Sequence, residues 1–347
     1  MLKYANTLIS VFIRVIEEVK VPQIVVENLT KTFKVARRRA GLLNSFTSVF
    51  SREYKIVNAL QSISFSMDEG ELVGYIGPNG AGKSTTVKVM SGILVPDAGV
   101  CTILERTPWK NRMEHVRNIG VVFGQRTQLW WDVPVEDSFE LLRDIYGLSQ
   151  SDYVKTLDEL VEALGLESLL ETPVRQLSLG QKMKCELAAS MLHKPPVLFL
   201  DEPTIGLDAV SKLAVREFIK RMNRERGVTV ILTTHDMDDI EALCSRIMVI
   251  GKGKILMDGT ISQLRNSVIP ERTVKIEFAG EVPSLEFQGA RLVKQEDHLI
   301  ELRCYLKETS AAELIQTISR QAEIKDFVVE NPPIEEIVAR MYSEFEI

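Results

Sequence analysis

"LVGYIGPNGAGKST" (Leu72 to Thr85) decides the fold. Its first five residues form an apolar run too short for a helix and bounded by glycine, which predicts a buried strand. The nine that follow match G-x-x-x-x-G-K-[ST], and "STTVKVMSG" then reads as a helix. Glycines let a backbone curl until successive N–H groups face inward, and a helix amino terminus adds partial positive charge. The loop Gly77, Pro78, Asn79, Gly80, Ala81, Gly82, Lys83, Ser84 and Thr85 is therefore expected to cradle the phosphates of a nucleotide. Lys83 is placed to reach the β- and γ-phosphates, and Ser84 to offer a hydroxyl oxygen to Mg²⁺.

Downstream, "LFLDEPTIGLD" (Leu198 to Asp208) sets two adjacent carboxylates at the end of another apolar run. A buried charge without compensation costs several kcal/mol, roughly. Asp201 and Glu202 therefore serve either a structural ion pair or a metal and a reacting water. With a phosphate cradle in the same chain, Asp201 suits Mg²⁺, and Glu202 suits general-base work on water.

The chain has 347 residues, 45% hydrophobic and 26% charged, which fits globular structure in two parts. A net charge of −6 gives no reason to expect nucleic acid as a partner. The four cysteines, Cys101, Cys185, Cys244 and Cys304, match no metal-ligand spacing and read as small buried hydrophobes. No run reaches the 20 or so apolar residues of a membrane span. "NTLISVFIRVIEEVKV" (Asn6 to Val21) has apolar residues at helical spacing and reads as an amphipathic helix, docked on the protein or lying on a membrane.

From Ser84 onward helices alternate with short apolar strands, "IGVVFG", "VLFLDE", "VTVILTTH" and "SRIMVIGKGKIL", which argues an α/β domain with a largely parallel sheet. "QIVVENLTKTF" and "ISFSMDEGELVGYIG" supply strands ahead of it. Between them lies a basic insertion, residues 36–55, with Arg37, Arg38 and Arg39. Residues from about 126 to 177 hold charged helical patterns and no strand, and read as an inserted helical subdomain. After "GTISQLRNSVIPERT" the order becomes strand, strand, helix, strand, helix, a small α+β tail. The expected boundaries are an extension over 1–22, the main domain over 23–267 and the tail over 268–347.

With these motifs the chain resembles the nucleotide-binding subunits of ABC transporters over about Gln23 to Asn266, and "LSLGQKMK" (Leu177 to Lys184) narrows it further. The family signature is LSGGQ followed by a basic residue; here Leu179 and Lys184 stand where glycine and arginine are usual. The resemblance implies a P-loop NTPase fold that binds ATP and Mg²⁺ and hydrolyses ATP. It implies that Ser178 and Gly180 contact the γ-phosphate held by an opposite subunit, that Gln181 belongs to the same nucleotide-binding set, and that Asp208 crosses that interface. It gives His235 the role of switch histidine near the γ-phosphate, and Gln125 that of a contact to Mg²⁺ and the attacking water. Tyr54 and Phe33 compete for the adenine, and Tyr54 is favoured because it leads straight into "IVNALQSISF".

Each motif occurs once, so a complete site requires a second copy or a second ATPase subunit arranged head to tail. The resemblance further implies an integral membrane permease as partner and a peripheral place on the cytoplasmic face of the membrane. The tail ending "PPIEEIVARMY" and the run with Trp130 and Trp131 resemble the bacterial ABC-2 exporter group. The alternatives are an ABC-type ATPase of translation or DNA metabolism and a nucleotide-sensing regulatory subunit.

Overall fold

A computed structural model describes residues 21–36, 54–124, 126–268, 271–282, 289–305 and 308–344. The chain divides into two compact units, Met1–Asp258 and Gly259–Ile347. The amphipathic stretch expected in the first 20 residues, most of the basic insertion (37–53) and Gln125 lie outside the described residues.

In the first unit the apolar runs become the strands of one sheet. Its order is β5 (Ile119–Phe123), β6 (Val197–Asp201), β7 (Thr229–Thr233), β3 (Leu72–Ile76), β8 (Arg246–Gly251) and β9 (Lys254–Thr260). The first five of these run parallel. Strands β3 and β7 are buried at every residue, which is why they read as unbroken apolar runs rather than alternating ones. The register sets Asp201 beside Thr233, and Thr233 beside Tyr75. The acidic strand end and the glycine loop thus open at one carboxyl edge, where parallel sheets place their ligands.

A second, antiparallel sheet, β2 (Tyr54–Met67), β1 (Ile24–Ala36) and β4 (Ala98–Ile103), packs on the first. Ile24, Leu60 and Ile63 from one sheet meet Tyr75, Phe199 and Ile231 from the other in a single core. Helices α1 (Lys83–Met90) and α2 (Arg112–Val116) follow the cradle. The stretch expected to be helical holds α3 (Val135–Tyr146) and α4 (Gln150–Leu164), each ended by a left-handed glycine, Gly147 and Gly165. Helices α5 (Leu179–Met191), α6 (Ala209–Arg226) and α7 (Met237–Leu243) complete the unit. All four cysteines of the chain are buried free thiols.

In the second unit an antiparallel sheet runs in the order β11 (Ala290–Gln295), β12 (Leu299–Tyr305), β10 (Glu271–Phe278) and β13 (Ile324–Glu330). Its helices are α8 (Ile261–Val268), α9 (Ala311–Ser319) and α10 (Ile334–Glu344). Val274, Ile276, Ile300 and Leu302 alternate inward and pack on Leu314 and Ile318 of α9. Two features differ from the sequence expectation. Three strands precede α9, not two, because β11 is an exposed edge that lacks the alternation marking a half-buried strand. The division between units falls before α8 rather than after it, because Leu264 of α8 is buried and the helix packs on α10. Among the described residues no helix is long and apolar enough to cross a membrane.

Candidate functional site

The cradle is built by backbone before side chains act. Gly82 caps α1 with φ +117, and a Cβ there would stand 2.6 Å from the Ala59 carbonyl oxygen, so only glycine fits. No side chain caps the helix. The first N–H groups of α1 are left for a ligand, with the helix dipole behind them. Pro78, Asn79, Gly80, Gly82, Lys83, Ser84 and Thr85 line a cavity of about 520 Å³, closed on other sides by Val57, Phe123, Asp201 and Glu202. Gly77 and Ala81 are part of the same turn but not of its lining.

Lys83 is 6% exposed, and its ammonium donates to the carbonyls of Gly77 (2.6 Å) and Pro78 (3.3 Å). Burial pulls its pKa below the ordinary value, while the Glu202 and Asp201 carboxylates oppose that pull. The ammonium is therefore held, pointed and only partly paid for by nearby carboxylates.

Asp201 answers for its place at a buried strand end through its partners. It accepts hydrogen bonds from the hydroxyls of Thr233 (2.5 Å) and Ser84 (3.3 Å). Glu202 departs from the strand with φ +57, a left-handed backbone that costs a side-chain-bearing residue about 1–3 kcal/mol. Its N–H donates to Thr233 O at 2.9 Å. The turn aims the carboxylate into the cavity, 3.5 Å from Nδ1 of the exposed His235.

A second surface gathers the remaining motif residues. Ser178 caps α5 in a reciprocal box: Gln181 N–H donates to its hydroxyl (3.2 Å), and the Ser178 N–H donates to the Gln181 side chain (2.9 Å). Asp208 caps α6 by accepting from the N–H (2.9 Å) and hydroxyl (2.7 Å) of Ser211, which hold its carboxyl below the usual range. A Cβ on Gly180 would lie 2.2 Å from Ser211 Oγ, so the two helix starts abut. Ser178, Gly180, Gln181 and Asp208 line no part of the cradle cavity. Around them Leu179, Val210 and Leu213 are exposed.

The aromatic pair sorts by register. Phe33 lies directly across from Val57, which lines the cradle, so the two share a face of the ribbon. Tyr54 pairs with Ala36, three positions from Val57 and hence on the opposite face, and is 53% exposed. The register thus sets Phe33, not the favoured Tyr54, on the cradle side. Trp130 and Trp131 are both exposed, and Lys182 lies over the Trp131 ring at 5.2 Å. Arg126 and Lys88 also line the cavity. Sequence reasoning passed over both; Arg126 could have been found from its place beside Gln125.

The description "ABC transporter" matches residues 60–205. "ABC transporter ATP-binding protein NatA" of Bacillus subtilis (strain 168) is 31% identical over 218 residues, 63% of this chain and 88% of that one. "Linearmycin resistance ATP-binding protein LnrL" of the same organism is 33% identical over 221 residues, 64% of this chain and 70% of that one. A solved dimeric post-hydrolysis state of the ATP-binding cassette MJ0796, bound to ADP and Pi, superposes with a TM-score of 0.57 at 26% identity, covering 69% of this chain and 98% of that one. Fold and cradle together define a P-loop nucleoside triphosphatase. The chain belongs to the ATP-binding subunits of ABC transporters, and it is an ATPase.

Proposed function

We propose that two copies of this chain, or this chain and a second ATPase subunit, close head to tail over ATP and drive a separate integral membrane permease. One observation carries the reading. Lys83 and Glu202 share a cavity, whereas Ser178, Gly180, Gln181 and Asp208 form a surface outside it, ringed by uncovered Leu179, Val210 and Leu213. That surface suits the cradle of a neighbour. The dimeric state of the MJ0796 cassette supports it.

Phosphoryl transfer asks mainly for positioning and charge stabilisation. In this reading the loop N–H groups and Lys83 hold the β- and γ-phosphates, and Phe33 stacks on the adenine. Glu202 accepts a proton from water as its oxygen bonds to the γ-phosphorus and the bond to the bridging oxygen breaks, leaving ADP and phosphate. His235 steadies the Glu202 carboxylate and the γ-phosphate beside it. Ser178 and Gly180 of the second subunit meet the γ-phosphate from the far side, and Asp208 spans the seam. Ser84 Oγ and Asp201 Oδ1, 3.3 Å apart, are two hard oxygens of the kind Mg²⁺ takes, with Gln125 as a further contact. When bound, Mg²⁺ supplies Lewis-acid stabilisation of phosphate charge.

The exposed Trp130 and Trp131 suit a permease groove, since aromatics concentrate at interface cores. Outward transport is supported by the likeness to LnrL, which is named for linearmycin resistance. The chain would then sit at the cytoplasmic face of the membrane through that permease. Light scattering on the Glu202→Gln chain with ATP and Mg²⁺ tests the dimer. A dimer is expected, and none for Lys83→Ala; equal masses for both chains would defeat the reading.

A further inference from the structure

Glu202 and His235 stand on separate loops, yet one buried carboxylate behind them ties both loops together. Asp239 of α7 is 0% exposed. It accepts hydrogen bonds from the hydroxyl of Thr204, two residues past Glu202, and from that of Thr234 (3.4 Å), the residue before His235. Its other oxygen takes Nε of Arg216, from α6, at 2.5 Å. The same guanidinium lies 3.7 Å from Asp236, the residue after His235, and Lys212 of α6 also pairs with Asp236. Asp236 N–H in turn donates to Thr234 Oγ1 at 2.9 Å. Both neighbours of His235 are therefore fixed, and so is the loop leaving Glu202.

A left-handed backbone at a glutamate persists only where its surroundings over-determine it. Thr204 and Thr234 are themselves buried, at 2% and 1%, so these bonds are not shared with solvent. Charge-assisted bonds in a dry setting are the stiff ones. We infer that Asp239 is a positioning residue for hydrolysis: through Thr204 it holds Glu202 in its left-handed turn, and through Thr234 and the Arg216–Asp236 contact it holds His235 against Glu202. The inference rests on the roles proposed above for Glu202 and His235. It also makes α6, which Asp208 caps, a direct mechanical neighbour of both residues.

The test uses the full chain in the assembly that turns over ATP. Thr204→Val keeps the shape of the side chain and deletes the hydroxyl that Asp239 receives. It is expected to lower kcat at least fivefold while the affinity for ATP, read by equilibrium binding, stays within twofold. Thr204→Ser, which restores the hydroxyl, should recover most of the lost kcat. Asp239→Asn should lower kcat further, again without a matching loss of ATP affinity; melting curves on both variants report the folded fraction. Parental kcat in a folded Thr204→Val chain, or equal failure of Thr204→Val and Thr204→Ser, would overturn the inference. A Glu202→Gln control separates the two readings: retained turnover there means that the role of Glu202 is wrong, and abolished turnover leaves the Thr204 result to judge Asp239 alone.

Discussion

At the scale of single residues the site is set by close approaches as much as by charges. Gly180 is the clearest case, because Ser211 Oγ occupies the place that a Cβ would need. Gly180→Ala should push the starts of α5 and α6 apart and cut ATP turnover more than tenfold, and Ser211→Gly in the same chain should restore part of it. Steady-state ATPase rates check both. The adenine contact is a second residue-level expectation. Stacking of a base on an aromatic is worth about 1–3 kcal/mol, so Phe33→Ala should weaken ATP binding by roughly five- to 150-fold. Tyr54→Ala should leave it within about twofold, and equilibrium titration with a fluorescent ATP analogue reads the two. That Lys83 and Ser84 share one loop was legible from spacing, because a phosphate cradle needs glycine, lysine and hydroxyl at fixed offsets, and the structure brings Asp201 and Glu202, read from a strand end, to the same cavity. The place of Phe33 was not legible. The insertion after it separates the two candidates along the chain, and only the register sets Phe33 on the same ribbon face as Val57, which lines the cavity.

At the scale of elements, the strands buried on both sides read well because nothing interrupts their apolar runs. Edge strand β11 did not, since Arg291, Leu292 and Val293 are all exposed and no alternation survives. Polar links beneath the surface were also silent in sequence, and half-buried His193 is one. Its ring stacks on Tyr146 at the end of α3 (centroids 3.8 Å apart), and Nε2–H donates to the Ile119 carbonyl of β5 at 2.9 Å. Burial pushes the imidazole down to about 4, from an ordinary value of about 6.5. A depressed histidine favours the fold in its neutral form. Between those two values the unfolded chain takes up a proton that the folded chain refuses, so this contribution is whole above about pH 6.5 and drains away as pH falls towards 4. His115, buried and bonded to Met90 O at 2.7 Å, is shifted the same way. Melting temperature should drop on acidification from pH 7 to 5, and His193→Gln should flatten that slope. An unchanged slope would mean that other groups govern it.

For the whole molecule, the P-loop domain was legible because its parts recur in a forced order: strand, glycine loop, helix, acidic strand end. The boundary of the second unit was less so, since α8 looks like a continuation of the first domain until Leu264 is seen buried. What no single chain displays is the pairing of the Lys83 cradle with a Ser178 surface, and the transport reading stands on it. Mixing two inactive chains decides the matter. Lys83→Ala lacks only the cradle lysine, and Ser178→Arg blocks only the signature surface. If the site is shared, a mixed pair holds one intact cradle facing one intact signature. ATP turnover should then return to about a quarter of the parental rate in an equal mixture. Turnover that stays at the level of the separate variants, with mixed pairs verified by a tag on one chain, would contradict a shared site.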